Sequence, residues 1–202
     1  MRPRAWLRIF LTALALAATV SATADEPADP KATTTVAHFH DALIQVMKTP
    51  GFEARVSLLA PVVQTDFDLS TIGRIAIGRP WRSLGDAEQQ AMTSLLHELV
   101  TTTYAARFGD YDGHAFNTLN SSAIAGNREQ VKTELVTRSE TVALDYMLIA
   151  TDHGWKIYDV VANGVSDLAL KRSNYASLIA DGGVERVLED IREGIARNRQ
   201  SD

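Results

Sequence analysis

The side chains that could bind a metal are few and poorly spaced for it. His38 and His40 flank Phe39. Residues two apart on a helix point in different directions, so this histidine pair is not arranged to chelate an ion. His97 is followed by Glu98, but the second histidine that completes a zinc-protease helix is missing. We therefore predict no metal site and interpret His38 and His40 as solvated helix residues.

Three short segments resemble parts of ligand or catalytic loops without completing them. Residues 110–113 read Asp-Tyr-Asp-Gly, but the further ligands and the closing glutamate of a calcium loop are absent. Residues 73–79 have the glycine spacing of a phosphate loop, but no lysine followed by serine or threonine comes at the end. Residues 164–166 lack the second glycine of a nucleophile elbow. We interpret all three as turns or ordinary chain.

Two aspartates in apolar strands, Asp145 and Asp159, are the remaining candidates for a general base. No histidine is placed by the sequence to complete a proton relay with either of them. A structural hydrogen bond or exposure to solvent explains both equally well. The sequence favours a protein that is not an enzyme and has no cofactor. A small exported α+β enzyme that uses Asp145 or Asp159 stays as an alternative.

The first 24 residues have the three parts of a secretory signal. Three arginines lie among the first eight residues, residues 9–20 are almost continuously apolar, and small side chains at Ala22 and Ala24 suit a signal peptidase. A membrane span needs about 20 apolar residues, and this run is shorter. We predict export of the chain with cleavage after Ala24.

Composition excludes several classes of protein. The chain has 202 residues, no cysteine and a net charge of −5. Without cysteine there is no disulfide scaffold, thiol nucleophile or thiolate metal site. An acidic chain is unsuited to nucleic acid, whose partners carry a basic face. The length favours one domain. We predict a disordered leader at residues 25–33 and a single monomeric domain at residues 34–198.

The hydrophobic period changes halfway along the mature chain. Helical spacing of apolar residues predicts four helices, at residues 36–47, 53–64, 69–78, and from Ser83, with Asp86 as its capping partner, to Gly109. Alternation and short turns then predict an antiparallel meander, with strands at residues 114–125, 129–138, 141–150 and 155–162. Two final helices are predicted at residues 168–180 and 184–197. The order of helices, sheet and helices predicts an α+β fold.

Residues 157–166 carry a resemblance to a known family. They read Ile-Tyr-Asp-Val-Val-Ala-Asn-Gly-Val-Ser, with Trp155 before them and Tyr175 in the polar helix after them. This pattern resembles the MlaC family of periplasmic lipid-binding auxiliaries of ABC-type transporters, also called toluene-tolerance proteins. Weaker matches to the earlier family pattern are residues 61–64, Phe67, Trp81 and residues 103–105.

The branch within this family is a finer prediction. Residues 142–146 and 166–175 look more like HpnM, the branch associated with hopanoid biosynthesis. Asp167 interrupts the hydrophobic segment that follows Gly-Val-Ser in the family.

The resemblance implies both a fold and a function. The fold would be a cone in which N-terminal helices pack on a curved antiparallel sheet of about four strands, closed by C-terminal helices around an apolar cavity. The protein would be a soluble periplasmic carrier of a phospholipid, or of a hopanoid, and membrane-bound transport complexes would load and unload it. An adaptor protein with a filled core stays as a further alternative, because periodicity does not distinguish a filled core from a hollow one.

The resemblance also gives a prediction of the residues that line the lipid-tail pocket. All are apolar or aromatic residues on the predicted inner faces of the helices and strands. They are Phe67, Ile72, Ile75, Val100, Tyr104, Val142, Leu144, Tyr146, Leu148, Trp155, Ile157 and Val161. Asp159 is expected to fix the chain near Gly164 and not to contact the ligand.

Overall fold

A computed structural model describes residues 30–200 and places one sheet against a layer of helices in this range. The helices are α1 (Pro30–Met47), α2 (Phe52–Asp66), α3 (Leu69–Ile77), a 3-10 helix (Arg79–Ser83), α4 (Asp86–Arg107) and α5 (Asp167–Arg199). The strands are β1 (Ala115–Ile124), β2 (Arg128–Val136), β3 (Thr141–Thr151), β4 (Gly154–Ala162) and β5 (Val165–Ser166). The predicted signal peptide and its cleavage site lie outside the described residues.

The sheet is an antiparallel meander with the strand order β1-β2-β3-β4-β5. Val131 and Thr133 of β2 lie opposite Tyr146 and Leu144 of β3, and all four side chains are buried on the face that the helices cover. The α+β class and the order of elements are therefore confirmed. The two-residue strand β5 is an addition that the sequence did not predict. No helix within residues 30–200 has both the length and the apolar character needed to span a membrane.

Helix α1 begins earlier than expected. It starts at Pro30, so the last four residues of the predicted leader at 25–33 are helical, and residues 25–29 lie outside the described part. Proline is tolerated in the first turn of a helix because the N–H that it lacks would have no partner there. Ala32 is fully buried in the core, and the Thr35 hydroxyl donates to the Trp155 carbonyl at 3.1 Å. These contacts explain why the first turn is ordered.

Helix α4 begins later than expected. Its N-cap is Gly85, whose N–H donates to the Glu88 carboxylate at 2.8 Å, so Ser83 is not the cap. Ser83 instead ends the 3-10 helix, which buries Trp81. The Trp81 ring packs on Gly73 so closely that a Cβ at Gly73 would lie 2.8 Å from it. This contact holds the chain in the 3-10 turn past Ser83.

The two predicted final helices are the two halves of α5. They are separated by Gly182 and Gly183, whose backbone angles are not helical, with φ +72° at Gly183. Near the end of the second half, Asn198 donates to the hydroxyls of Thr102 and Thr103 in α4. The second half of α5 is thereby fastened to α4, while the first half continues from the sheet.

The segment that carries the family resemblance forms the junction between β4, β5 and α5. Ser166 caps α5 by accepting from the Ala169 N–H at 2.9 Å, and its hydroxyl donates to Asp159 at 2.6 Å. The second Asp159 oxygen accepts from the Leu168 N–H at 3.0 Å. Gly164, with φ +82°, allows the tight turn between β4 and β5. The expectation that Asp159 fixes the chain near Gly164 is confirmed.

We predict that this junction behaves as one energetic unit. Ser166→Ala removes a helix cap and should lower the free energy of unfolding by about 1 kcal/mol. Asp159→Ala removes the acceptor of the Ser166 hydroxyl and leaves the Leu168 N–H unpaired, and it should cost more, about 2 kcal/mol. The double variant should lose less than the sum, because both changes break the same hydrogen bond. Urea unfolding measures all three, with the exposed Ser173→Ala as control. Strict additivity would contradict the shared junction.

Candidate functional site

A cavity of about 570 Å³ lies between α4 and the inner face of the sheet. Its volume is within the range of about 300–1,000 Å³ that is usual for ligand pockets. The α4 side is formed by residues at helical spacing, Leu99, Val100, Thr103, Tyr104, Arg107 and Phe108. The sheet side is formed by residues of β2, β3 and β4, namely Leu135, Val142, Leu144, Tyr146, Val160 and Ala162.

A β-bulge decides which residues of β4 face this cavity. Met147 of β3 lies opposite Asp159, but the next residue, Leu148, lies opposite Ile157, so Tyr158 is an extra residue in β4. Side chains alternate along a strand, and one extra residue exchanges the two faces beyond it. Val160 and Ala162 therefore line the cavity. Val161 lies opposite Asp145 on the other face, which corrects the sequence-based expectation that it lines the pocket.

The other predicted lining residues fall into three groups. Val100, Tyr104, Val142, Leu144 and Tyr146 line the main cavity. Phe67 and Ile72 line a neighbouring cavity of about 30 Å³ that shares Val100, Tyr104 and Val160 with the main one. The remainder belong to the packed core and not to either cavity wall: Leu148 and Ile157 are fully buried, and Ile75 and Trp155 are partly buried against the core. That any of these residues contacts a lipid remains a prediction.

The rim of the cavity carries charged residues that the sequence-based prediction missed. Arg107, Asp110, Glu140, Asp167 and Lys171 all line it. Lys171 is paired with Asp167 at 2.5 Å. Arg107 lies one turn after Tyr104 on α4, a spacing visible in the sequence. No hydrogen bond or ion pair involves its guanidinium within residues 30–200.

Two exposed apolar side chains stand at the same rim. Val165 is 53% exposed and Leu170 is 59% exposed, and both line the cavity. Their position follows from the junction at Asp159, which places β5 and the first turn of α5 beside the opening. No sequence signal separates Leu170 from Leu168, two residues earlier in the same apolar run, which is buried in the core.

His40 is buried behind the cavity wall, contrary to the expectation of a solvated residue. It lies on the same α1 face as Val36 and Leu43, one turn away from each, and this face packs on the core. Its Nε2 atom is 3.0 Å from the Tyr146 hydroxyl, and its ring stacks on Phe116 with 4.0 Å between centroids. Burial lowers the pKa of His40 from 6.5 to about 4, so the ring is neutral at pH 7.

His38, although more than half exposed, is also paired. Its Nδ1 atom lies 2.7 Å from a carboxylate oxygen of buried Asp66. Burial raises the pKa of Asp66, and His38 opposes that shift. The two histidines therefore point to different partners. Within residues 30–200, no group of three or more His, Asp or Glu side chains is arranged to hold a metal ion.

Tyr104 and Tyr146 bring hydroxyl groups into the otherwise apolar interior. Burial raises the pKa of both, so both are uncharged and able to donate hydrogen bonds. Of the two candidate bases, only Asp159 comes near them, because it lines the small neighbouring cavity together with Tyr104. Asp145 lies on the outer face of the sheet and accepts from Gln130 at 3.0 Å. Asp159 is occupied at the α5 junction. The main cavity is therefore lined mainly by apolar side chains, with Thr103 and the two tyrosines among them, and the carboxylates in its lining are the rim residues Asp110, Glu140 and Asp167.

The model of the MlaC protein family matches residues 37–193. The chain belongs to the MlaC family. Its fold is similar to that of the phospholipid-binding protein from Ralstonia solanacearum, whose structure is solved in complex with a phospholipid. The TM-score is 0.73 at 22% identity, covering 86% of this chain and 99% of that protein. No curated protein matches the sequence.

We predict that buried His40 makes this MlaC protein less stable in mild acid. Between pH 6.5 and about 4 the unfolded chain binds a proton on His40 and the folded protein does not. The free energy of unfolding should therefore fall as the pH decreases through this window, by up to about 3 kcal/mol. His40→Gln removes the titrating group and should flatten the curve relative to wild type, because the contribution of Asp66 is common to both. Urea unfolding at each pH measures this, and parallel curves would contradict it.

Proposed function

We propose that this MlaC protein is a periplasmic carrier that encloses the acyl tails of a phospholipid and moves the lipid between membrane-bound transport complexes. The observation that carries the proposal is the cavity of about 570 Å³ with an apolar inner wall and a charged rim. Family membership supports it, as does the likeness to a fold that is known to bind a phospholipid.

The inner wall suits hydrocarbon chains. Val142, Leu144 and Val160 present aliphatic side chains, and α4 adds Leu99 and Val100 from the opposite side. Each methylene moved from water into such surroundings gains about 0.8 kcal/mol. An acyl chain of ordinary length therefore gains enough free energy from burial in the cavity to stay bound while the protein moves through water.

The rim of the cavity has side chains that suit a lipid headgroup and a docking protein complex. Arg107 and Lys171 are cations that can face a phosphate, and Asp110 and Glu140 add negative charge nearby. The exposed Val165 and Leu170 offer an apolar contact for the complexes that load and unload the lipid. Because the cavity is empty space beside a packed core, it favours a carrier over an adaptor with a filled core. Both oxygens of Asp159, the carboxylate that lines the small cavity beside Tyr104, are engaged at the α5 junction, which favours a carrier over an enzyme.

Export and release complete the proposal. The N-terminal signal would deliver the chain to the periplasm with cleavage after Ala24, and the mature protein would act as a monomer. The net charge of −5 becomes −8 once the three arginines of the signal are removed, which weakens standing attraction to anionic membranes and suits a carrier that must leave a membrane after each visit. A hopanoid is the alternative cargo of the HpnM branch.

The first test is the cargo itself. We expect the protein, expressed as the full chain with its own signal and purified from the periplasm, to contain phospholipid close to one molecule per chain. Solvent extraction followed by mass spectrometry identifies and counts the lipid. Folded protein with no co-purified lipid, which also takes up none from phospholipid vesicles, would contradict a carrier function. A hopanoid in place of phospholipid would select the alternative cargo.

The second test places a charge in the cavity. Leu144→Arg puts a cation on the inner wall and should reduce the bound lipid at least tenfold, because the charge must stay hydrated. Ala143→Arg, one residue away on the exposed face of β3, is the matched control and should keep wild-type lipid content. Circular dichroism confirms that both variants fold. Full lipid occupancy in folded Leu144→Arg would show that the tails lie elsewhere.

The third test fills the cavity without adding charge. Ala162→Trp inserts a large ring from β4 into the space beside Leu144, its partner across the strands. Val161→Trp, the neighbouring residue on the outer face, is the control. We expect Ala162→Trp to shift the bound lipids towards shorter or single-chain species in mass spectrometry, while Val161→Trp leaves the lipid profile unchanged. Identical profiles in both variants would contradict the cavity as the tail site.

A further inference from the structure

Tyr104 presents a hydroxyl to the cavity with no protein partner. The hydroxyl makes no hydrogen bond to a side chain or backbone group of residues 30–200, and the side chain is partly buried against the core. Tyr104 also lines both the main cavity and its small neighbour. An unpaired hydroxyl in apolar surroundings is unfavourable, so its natural partner is a group brought by the ligand.

The surroundings of the Tyr104 ring limit which groups can accept a hydrogen bond from its hydroxyl. The ring meets Phe39 edge-on at 4.9 Å, packs parallel to Phe108 at 5.9 Å and lies 6.2 Å from Phe67. These three aromatic rings hold Tyr104 in place and offer no strong acceptor. Asp159 lines the small cavity with Tyr104, but its two oxygens already accept from Ser166 and Leu168, so a ligand in the cavity remains as the partner for the hydroxyl.

The position of Tyr104 along α4 is the boundary between the charged rim and the apolar interior. Arg107 at the rim lies three residues further on, which is about 4.5 Å along the helix axis, and Val100 lies one turn towards the interior. Burial is the main cause of the raised pKa of Tyr104, and the rim charges of Asp167 and Arg107 add smaller effects. Tyr104 therefore belongs to the helical turn just inside the rim charges.

In a glycerophospholipid the ester carbonyls lie between the phosphate and the tails. A phosphate at the rim and tails in the interior would bring an ester carbonyl to the level of Tyr104. We propose that the Tyr104 hydroxyl donates a hydrogen bond to an acyl ester carbonyl of the bound lipid, and so selects ester-linked glycerolipids over lipids of the same size without the carbonyl. This rests on the proposed carrier function and names the chemical class of its cargo.

Tyr146 does not serve the same purpose. Its hydroxyl is 3.0 Å from Nε2 of His40 and so already has a partner within the protein. The two tyrosines thus differ in role: Tyr146 is satisfied internally, and Tyr104 is left for the ligand. A hopanoid ring system, which carries no carbonyl, would leave Tyr104 unpaired.

A competition between two lipids tests this proposal. Lipid-stripped mature protein is incubated with vesicles that contain equal amounts of a diacyl phosphatidylethanolamine and its dialkyl ether analogue, with the same headgroup and chain lengths. The protein is then recovered, and mass spectrometry gives the ratio of the two bound lipids and their total amount. The variants are Tyr104→Phe and, as control, Tyr175→Phe, which removes another buried tyrosine hydroxyl outside the main cavity.

We expect wild type and Tyr175→Phe to enrich the ester lipid about 3- to 10-fold, the range of one neutral hydrogen bond. Tyr104→Phe should give a ratio near one, because its weaker binding falls on the ester lipid alone, so the ratio and not the total amount is the readout. A wild-type ratio near one, or the same enrichment in folded Tyr104→Phe, would overturn the assignment of Tyr104 while leaving the carrier function intact. Absence of both lipids from folded wild-type protein would instead overturn the carrier function.

Discussion

The Asp159 carboxylate is the constraint on which the shape of the site depends. One oxygen receives the Ser166 hydroxyl and the other receives the Leu168 N–H, so a single side chain on β4 fixes the start of α5. The first turns of α5 then stand beside the opening of the cavity instead of lying across the sheet. Because both oxygens are used, one of the two carboxylates that the sequence offered as a general base is a structural group. The rim residues Leu170 and Lys171 owe their positions to it.

An open cavity requires compensation elsewhere in the protein. Space without atoms forfeits the packing contacts that a filled core would have. The compensation lies in α1, where Val36, Phe39, Leu43 and Val46 are completely buried against the sheet and the other helices. The aromatic contacts of Phe39 with Phe67, Tyr104 and Tyr146 connect this dense region to the cavity wall. Packing of α1 therefore supports the cavity wall on the side away from the cavity. A bound ligand would add to the stability of the folded state.

Hydrophobic period predicted the elements but not the details that shape the site. Helical and alternating patterns gave the order of helices and strands, because those patterns reflect which face is buried. The prediction that Val161 lines the cavity was wrong, because the alternating pattern gives no sign of the extra residue at Tyr158. His40 was interpreted as a solvated residue because the sequence around it does not show that its ring forms a hydrogen bond with Tyr146, which is distant in the chain. The cavity itself was beyond prediction from periodicity, since a wall residue and a core residue follow the same spacing.

The family resemblance supplied what local patterns could not. Residues 157–166 pointed to a fold with a hollow interior, and the structure explains why that segment is informative: it builds the junction that holds the opening. The rim charges escaped notice because Arg107 and Asp110 look like ordinary surface residues at the end of a helix. They form a charged rim only together with Glu140 and Asp167, which are distant in sequence and join them around the cavity in the folded chain.

Arg199, at the end of α5, makes ion pairs that join distant parts of the chain, and we call these ion pairs the clasp. Arg199 reaches Glu53 across 146 positions of sequence and also pairs with Glu98, so the end of the chain ties α2 and α4 together. Contacts this far apart in sequence form late in folding, since long loops must close first. The residues of α5 that line the opening lie in its first half, which Asp159 fixes to β4 without help from the clasp. The clasp therefore fastens the second half of α5 to α2 and α4 after the enclosure already has its walls.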